Sequence, residues 1–231
     1  MARPFIIGVG GAHSGSGKTT YAALLLRALG GWGAIKYTKT ELYSSLVDDR
    51  ETLSTEDKDT RRMLDAGAAR VLWVRAPRGE LEEMLPEAVA RLSDLRGIVV
   101  EGNSAIEFLK PDIIIFVFGK KAEEIKESAK GVLLSADLVV SESDQSCAPQ
   151  GKAEVFLKSP ADTERFLSRV AEMVEKKEKI RESLKGKAID GRISCPSARN
   201  IAEELDVPYQ EVGKTADELG IKITGCELGC F

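Results

Sequence analysis

Histidine is nearly absent: His13 is the single one in 231 residues. A metal centre built from several imidazoles is thereby excluded, although cysteines remain as ligands. Cysteine is scarce as well, with four in the chain, at positions 147, 195, 226 and 230. A chain of this length does not need disulfides, and cytosolic thiols stay reduced. Long apolar runs are missing. None approaches the span of about 20 residues that a membrane-crossing helix requires. Met1-Ala-Arg-Pro leads straight into a strand pattern and does not read as a signal peptide. A cytoplasmic location with no membrane partner is therefore expected. An excess of positive charge is lacking too. The formal net charge of −4 argues against general nucleic-acid affinity carried by phosphate contacts.

What is present is ordinary globular composition, 43% hydrophobic and 30% charged, long enough to bury a full core. One stretch organises it. Gly10-Gly-Ala-His-Ser-Gly-Ser-Gly-Lys-Thr-Thr20 follows the apolar run Phe5-Ile-Ile-Gly-Val9 and precedes the helix-like run Tyr21–Leu29. Strand, glycine-rich loop ending in Gly-Lys-Thr, then helix is the context of a phosphate-binding P-loop. Backbone N–H groups of Ser14, Gly15, Ser16, Gly17, Lys18, Thr19 and Thr20 would wrap a phosphate, and the helix N-terminus adds partial positive charge. Lys18 would reach the β- and γ-phosphates. Thr19 would place its hydroxyl on Mg²⁺. The pattern departs from the usual one at Ala12, where glycine is customary. Alanine is tolerated there if the backbone keeps a negative φ.

Strand-like runs then alternate with helical ones. Gly30-Gly31 suits a helix C-cap, and Ala34–Tyr37 reads as a second strand. Residues 38–59 read as a polar, irregular segment, and such segments are usually functional or mobile. A helix is expected from Lys58 to Asp65, a strand from Arg70 to Arg75, a helix from Leu81 to Leu92 and a strand at Gly97–Glu101. Asp112–Phe118 is a continuous apolar run, as in a strand buried on both faces. A charged helix over Ala122–Lys130, strands at Asp137–Val140 and Glu154–Leu157, and a long helix from about Ala161 to about Lys179 complete the large part. This is a βαβ pattern with a mostly parallel sheet flanked by helices, that is, an α/β fold of the P-loop NTPase kind.

Acids at strand ends are the natural partners of such a loop. Glu101 closes an apolar strand on the edge where open α/β sheets bind ligands, and it could hold the Mg²⁺ shell or orient a water. Asp48, Asp49 and Asp59 are candidates for a second acid. Lys36 and Lys39 flank the end of the second strand and could meet phosphate or an anionic substrate. His13 is expected to point to solvent. Ser141-Glu-Ser-Asp144 lies where GTP-binding P-loop proteins carry Asn-Lys-x-Asp. Asp144 alone matches, as a candidate base contact.

Several of these residues together resemble one family. They are the loop at 14–20, Ile35-Lys36, Lys58-Asp59-Thr60 with Arg62, Ala66-Gly67-Ala68 and Val99-Val100-Glu101-Gly102. Over about residues 4–120 the chain resembles molybdopterin-guanine dinucleotide biosynthesis protein B (MobB). That family belongs to the P-loop class that also holds dethiobiotin synthetase and nitrogenase iron protein. The resemblance implies GTP binding with Mg²⁺, weak hydrolysis, a homodimer, and a role in attaching a nucleotide to the molybdenum cofactor, with molybdopterin or a cofactor-assembly protein as partner. It implies that Lys18 and Thr19 carry phosphate and Mg²⁺, and that Asp59 and Glu101 are the acids near the γ-phosphate. The sequence departs from the family where Asn103-Ser104 follows Glu101-Gly102, and where Tyr37-Thr-Lys-Thr40 follows Ile-Lys.

The composition turns Lys/Glu-rich from Glu175 to Lys187, which places a boundary between domains 1–184 and 185–231. In the tail, Ser197–Leu205 and Tyr209–Leu219 read as two helices about the Asp206-Val-Pro208 turn, with a short strand at Ile221–Ile223. The shape is helix-turn-helix-like. Residues 192–231 hold four Lys/Arg against seven Asp/Glu, so packing or protein contact is expected, and DNA is not. Cys195, Cys226 and Cys230 leave three readings open: a zinc or iron–sulfur site with a fourth ligand, a redox-sensitive disulfide, or small buried thiols. The function expected is a Mg²⁺-dependent GTP-binding NTPase of molybdenum-cofactor assembly. The alternatives are an ATP-dependent small-molecule kinase or ligase on the same scaffold, and a non-enzymatic nucleotide switch with a metal- or redox-sensing tail.

Overall fold

The computed structural model describes residues 3–119, 125–142 and 153–225. Asp144, Cys226 and Cys230 lie outside the described residues. Strand β1 (Phe5–Gly11) is buried at all seven positions, as a strand covered on both faces must be. It lies between β5 (Gly97–Glu101) and β6 (Ile113–Val117), parallel to both. β2 (Gly33–Lys39), β4 (Val71–Ala76) and the short β3 (Ser45–Val47) extend the sheet on the β5 side. β7 (Leu138–Ser141) and β8 (Glu154–Leu157) extend it beyond β6. The eight strands run in the order β3-β4-β2-β5-β1-β6-β7-β8, and only β3 is antiparallel to its neighbour. The mostly parallel α/β architecture is therefore present.

Alternation along each strand sends side chains to opposite faces. Ile6, Ile35, Val74 and Val100 pack on one face against Leu81, Leu85 and Ala88 of α4 (Leu81–Arg91) and Ala105 of α5 (Asn103–Leu109). Helices α1 (Lys18–Leu29) and α3 (Lys58–Asp65) pack together and against the sheet. Gly30 ends α1 with φ 57°, in line with the glycine C-cap expected from the sequence. The chain starts at β1, moves outward through β2 and β4, returns to β5, and then crosses to β6. The carboxyl end of β1 thus sits at the reversal of strand order, where such sheets bind ligands.

Residues 38–59 are not irregular throughout. They contain β3 and α2 (Arg50–Thr55). Asp49 caps α2 by accepting from the Glu51 and Thr52 amides, and β3 exists through its pairing with β4. Neither element has a periodic apolar stripe: α2 buries Leu53 alone. The charged helix expected at 122–130 is α6 (Glu127–Leu134) within the described residues.

Two compact units divide inside the long helix α7 (Pro160–Lys187), at Leu167/Ser168. The sequence places its boundary near Lys185, where the composition changes. Ile180 and Leu184 of α7 belong to the hydrophobic core of the second unit, so packing and composition mark different points. That core also takes Ile201 and Ala202 of α8 (Cys195–Glu204) and Val212 and Ala216 of α9 (Tyr209–Glu218). β9 (Arg192–Ser194) and β10 (Lys222–Thr224) pair in parallel beside them. Among the described residues no helix is long and apolar enough to cross a membrane.

Candidate functional site

The loop after β1 turns on two glycines. Gly15 and Gly17 have φ of 77° and 100°, values that strain any residue with a Cβ. Among the described residues, positive φ outside glycine occurs at Lys110, Asp190 and Asp206. Ala12 is not one of them, so it meets the condition for replacing glycine, and its methyl packs in the cluster of Phe116 and Phe118. α1 begins at Lys18 with no side-chain cap. The first amides of a helix lack intrahelical partners, so this end is open to an anion.

Lys18 folds back over the loop and its Nζ donates to the His13 carbonyl at 2.8 Å. Burial holds its pKa below the ordinary lysine value, against the pull of Glu101. Beside it lies a cluster set by the sheet register. Glu101 of β5 is aligned with Val9 of β1 and with Lys36 of β2. The Lys36 Nζ lies 2.5 Å from Glu101 Oε1 and 2.9 Å from Asp59 Oδ2. Burial opposes the Lys36 charge, but Glu101 and then Asp59 outweigh it and lift its pKa above the ordinary value. Burial likewise works against the Asp59 carboxylate, but hydrogen bonding and charge from Lys36, and a hydrogen bond with Thr19, bring its pKa below the ordinary value. Asp59 is placed by α3, whose first turn is capped by Asp57. Arg62, one turn on, donates to Thr20 Oγ1 at 3.0 Å.

Lys18, Thr19, Asp59 and Glu101 thus converge in one cleft of about 900 Å³, together with Lys36 and Arg62. Three buried polar atoms of this region, Ser16 Oγ, His13 Nε2 and Glu101 Oε2, have no hydrogen-bond partner. Buried polar atoms in native proteins are almost always paired with protein, ligand or ordered water, and three of the five such atoms among the described residues gather around this loop. Glu101 itself is 1% exposed. The available donors, the Thr19 hydroxyl and the Asp59 and Glu101 carboxylates, are hard oxygens that fit Mg²⁺. Among the described residues no group of three or more His, Cys, Asp or Glu side chains could hold a metal ion. Mg²⁺ is commonly held by one or two carboxylates together with substrate phosphates, and this donor set suits that arrangement.

Three contacts to the loop join residues far apart in the sequence. Asn103 Oδ1 accepts from the Gly11 N–H at 2.9 Å, and its Nδ2 donates to the Gly11 carbonyl at 3.0 Å. The Lys126 amide donates to the Ala12 carbonyl at 3.0 Å. Lys158 Nζ donates to the Ser16 carbonyl at 3.0 Å and pairs with Glu142 at 3.1 Å. Asn103 carried one signal, its place directly after Glu101-Gly102. Lys158 carried none.

Other expected residues lie elsewhere. Asp48 pairs with Arg91 in a separate cleft, and Asp49 caps α2. Lys39 lines the main cleft but pairs with Glu41 at its exposed rim. His13 does not simply face solvent: its Nε2 is buried, and a Cβ on Gly119 would come within 2.2 Å of it. Cys195 is a free thiol of intermediate exposure at the start of α8. No protein-family model matches the chain, and no curated protein matches it.

Proposed function

We propose that this chain binds a nucleoside triphosphate with Mg²⁺ on the Gly10–Thr20 loop and hydrolyses it slowly. The fold is then a P-loop NTPase, and α8 and α9 form a helix-turn-helix-like pair used for packing or protein contact. The observation that carries the proposal is the convergence of Lys18 and Thr19 with Asp59 and Glu101 at the carboxyl end of β1. Phosphate oxygens would be met by loop amides and the open N-terminus of α1. Lys18 would exchange the His13 carbonyl for a phosphate oxygen. Thr19, Asp59 and Glu101 would hold the metal or its waters, and Mg²⁺ supplies neutralisation of the phosphate charge. Glu101, buried with one oxygen unpartnered, would orient a water or a metal-bound ligand. Catalysis of this kind is positioning and electrostatics.

The finer reading is GTP as the nucleotide and molybdenum-cofactor assembly as the role, in a homodimer. It draws on the resemblance to the MobB family at the loop, at Lys58-Asp59-Thr60 and at Glu101-Gly102. Isothermal titration of Mg²⁺–GTP and Mg²⁺–ATP against wild type and Lys18→Ala tests it. Binding to wild type that is lost in the variant is expected, with GTP preferred. Tighter binding of ATP removes the guanine part. Failure of wild type to bind GTP, ATP or inorganic triphosphate removes the whole proposal.

A further inference from the structure

We propose that the Lys36 ammonium is a built-in counter-ion that excludes a divalent metal from Asp59 and Glu101 until a triphosphate draws it away. The proposal rests on the nucleotide-binding reading above and adds to it a rule for when the metal enters. The starting point is a charge count. Two carboxylates face one ammonium, which contacts both at 2.9 and 2.5 Å. An ammonium has three protons to donate, and two of them are engaged here. Of the other cations in the cleft, Lys18 donates to the His13 carbonyl, and Arg62, which also draws on the Asp59 carboxylate, donates to Thr20 Oγ1.

Lys36 is 9% exposed and Glu101 1%, so solvent screens this pair little, while the Asp59 carboxylate is partly open to it. In the nucleotide-free protein, Mg²⁺ and Lys36 compete for the same carboxylate oxygens. Bringing a dication beside a held ammonium is repulsive at this range, and little solvent screens a buried pair. A γ-phosphate changes the balance by offering Lys36 and Lys18 new anionic oxygens. Asp59 and Glu101 are then released to the metal or to its waters. A diphosphate lacks those terminal oxygens, so Lys36 returns to the carboxylates and the metal loses its carboxylate ligands. The cluster therefore couples metal retention to the terminal phosphate.

The decisive experiment uses Mn²⁺ alone, followed by the loss of its free-ion electron paramagnetic resonance signal. It is titrated into nucleotide-free wild type, Lys36→Met and Lys36→Gln. Wild type is expected to bind Mn²⁺ no better than millimolar. Each folded variant is expected to bind one Mn²⁺ at least ~10-fold more tightly, a floor for removing a unit charge a few ångström from the ion. Adding Asp59→Asn to Lys36→Met should abolish the gain. Folded variants with wild-type Mn²⁺ affinity overturn the proposal. So does micromolar Mn²⁺ binding by nucleotide-free wild type, an arm that needs no variant to fold. The two readings fail separately. Nucleotide binding without a Mn²⁺ difference removes the counter-ion role alone. A Mn²⁺ difference without nucleotide binding leaves the counter-ion role and removes the nucleotide.

Discussion

Replacing Asn103 tests whether the loop is held in advance of its ligand. Its side chain takes both polar groups of Gly11, the N–H at 2.9 Å and the carbonyl at 3.0 Å. The chain packs closely at Gly11: a Cβ there would lie 2.3 Å from Ser16 Oγ and 2.8 Å from the Val117 carbonyl oxygen. Asn103→Ala removes both bonds. At about 1 kcal/mol net for each hydrogen bond, the loss is about 2 kcal/mol, rising towards about 4 if the Gly11 groups stay dry. Part of this appears as stability and part as affinity, because loose amides must be reordered before they can meet phosphate. If 1.4 kcal/mol falls on binding, affinity drops about tenfold. Urea unfolding reads the first share and titration with Mg²⁺–triphosphate the second. Asn103→Asp sharpens the test. It keeps an acceptor for the Gly11 N–H, loses the donor, and places an anion near the phosphates, so it should lose more affinity than Asn103→Ala. A folded Asn103→Ala protein with unchanged midpoint and unchanged affinity would show that the loop holds its shape without Asn103.

Three further outcomes follow from the same geometry. Lys18→Met should weaken triphosphate binding about 10- to 100-fold, the range for losing a charged hydrogen bond. Its unfolding midpoint should change little, because among the described residues the Lys18 ammonium donates to the His13 carbonyl alone and burial works against its charge; a large drop in midpoint would contradict this. Gly97→Ala should destabilise by about 1–3 kcal/mol through overpacking, since the new Cβ would sit 2.5–2.6 Å from three Trp32 ring atoms. An unchanged melting temperature would show that Trp32 can move. The Lys36 cluster should also shape stability against pH. Asp59, lowered from 3.8, contributes fully above that unfolded value and loses its contribution as pH falls through the folded one. Lys36, raised from 10.5, contributes fully below that value and loses its contribution as pH rises through the folded one. Urea midpoints across pH should therefore show a smaller acid-side loss in Asp59→Asn and a smaller alkaline-side loss in Lys36→Met; unchanged limbs would dismiss the pairing.

Local patterns were readable where the physics is local. The loop, its flanking strand and helix, and Glu101 at the end of an apolar run all carry short-range signals. Within its own segment Asp59 was one of several acids, because a polar segment has no periodicity to rank Asp48, Asp49 and Asp59; the family resemblance at Lys58-Asp59-Thr60 singled it out. Only α3 packing near β2 brings Asp59 to Lys36. Long-range pairings left no trace. Lys158 and Ser16 are 142 positions apart, and Asn103 and Gly11 are 92 apart. β3 and α5 span three and seven residues, too few for a period to show, and α2 follows from one capping aspartate.

The alignment of Val9, Glu101 and Lys36 on three adjacent strands makes the sheet a ruler. Neighbouring strands lie about 4.8 Å apart, and that spacing places the acid and the ammonium by backbone hydrogen bonds rather than by loop shape. Connecting loops can lengthen or shorten without disturbing the pair. One residue inserted within β5, however, would turn Glu101 to the opposite face and leave Lys36 facing a valine. Redesign of this scaffold is therefore freer in connections other than the Gly10–Thr20 loop and constrained, to the single residue, inside three short strands.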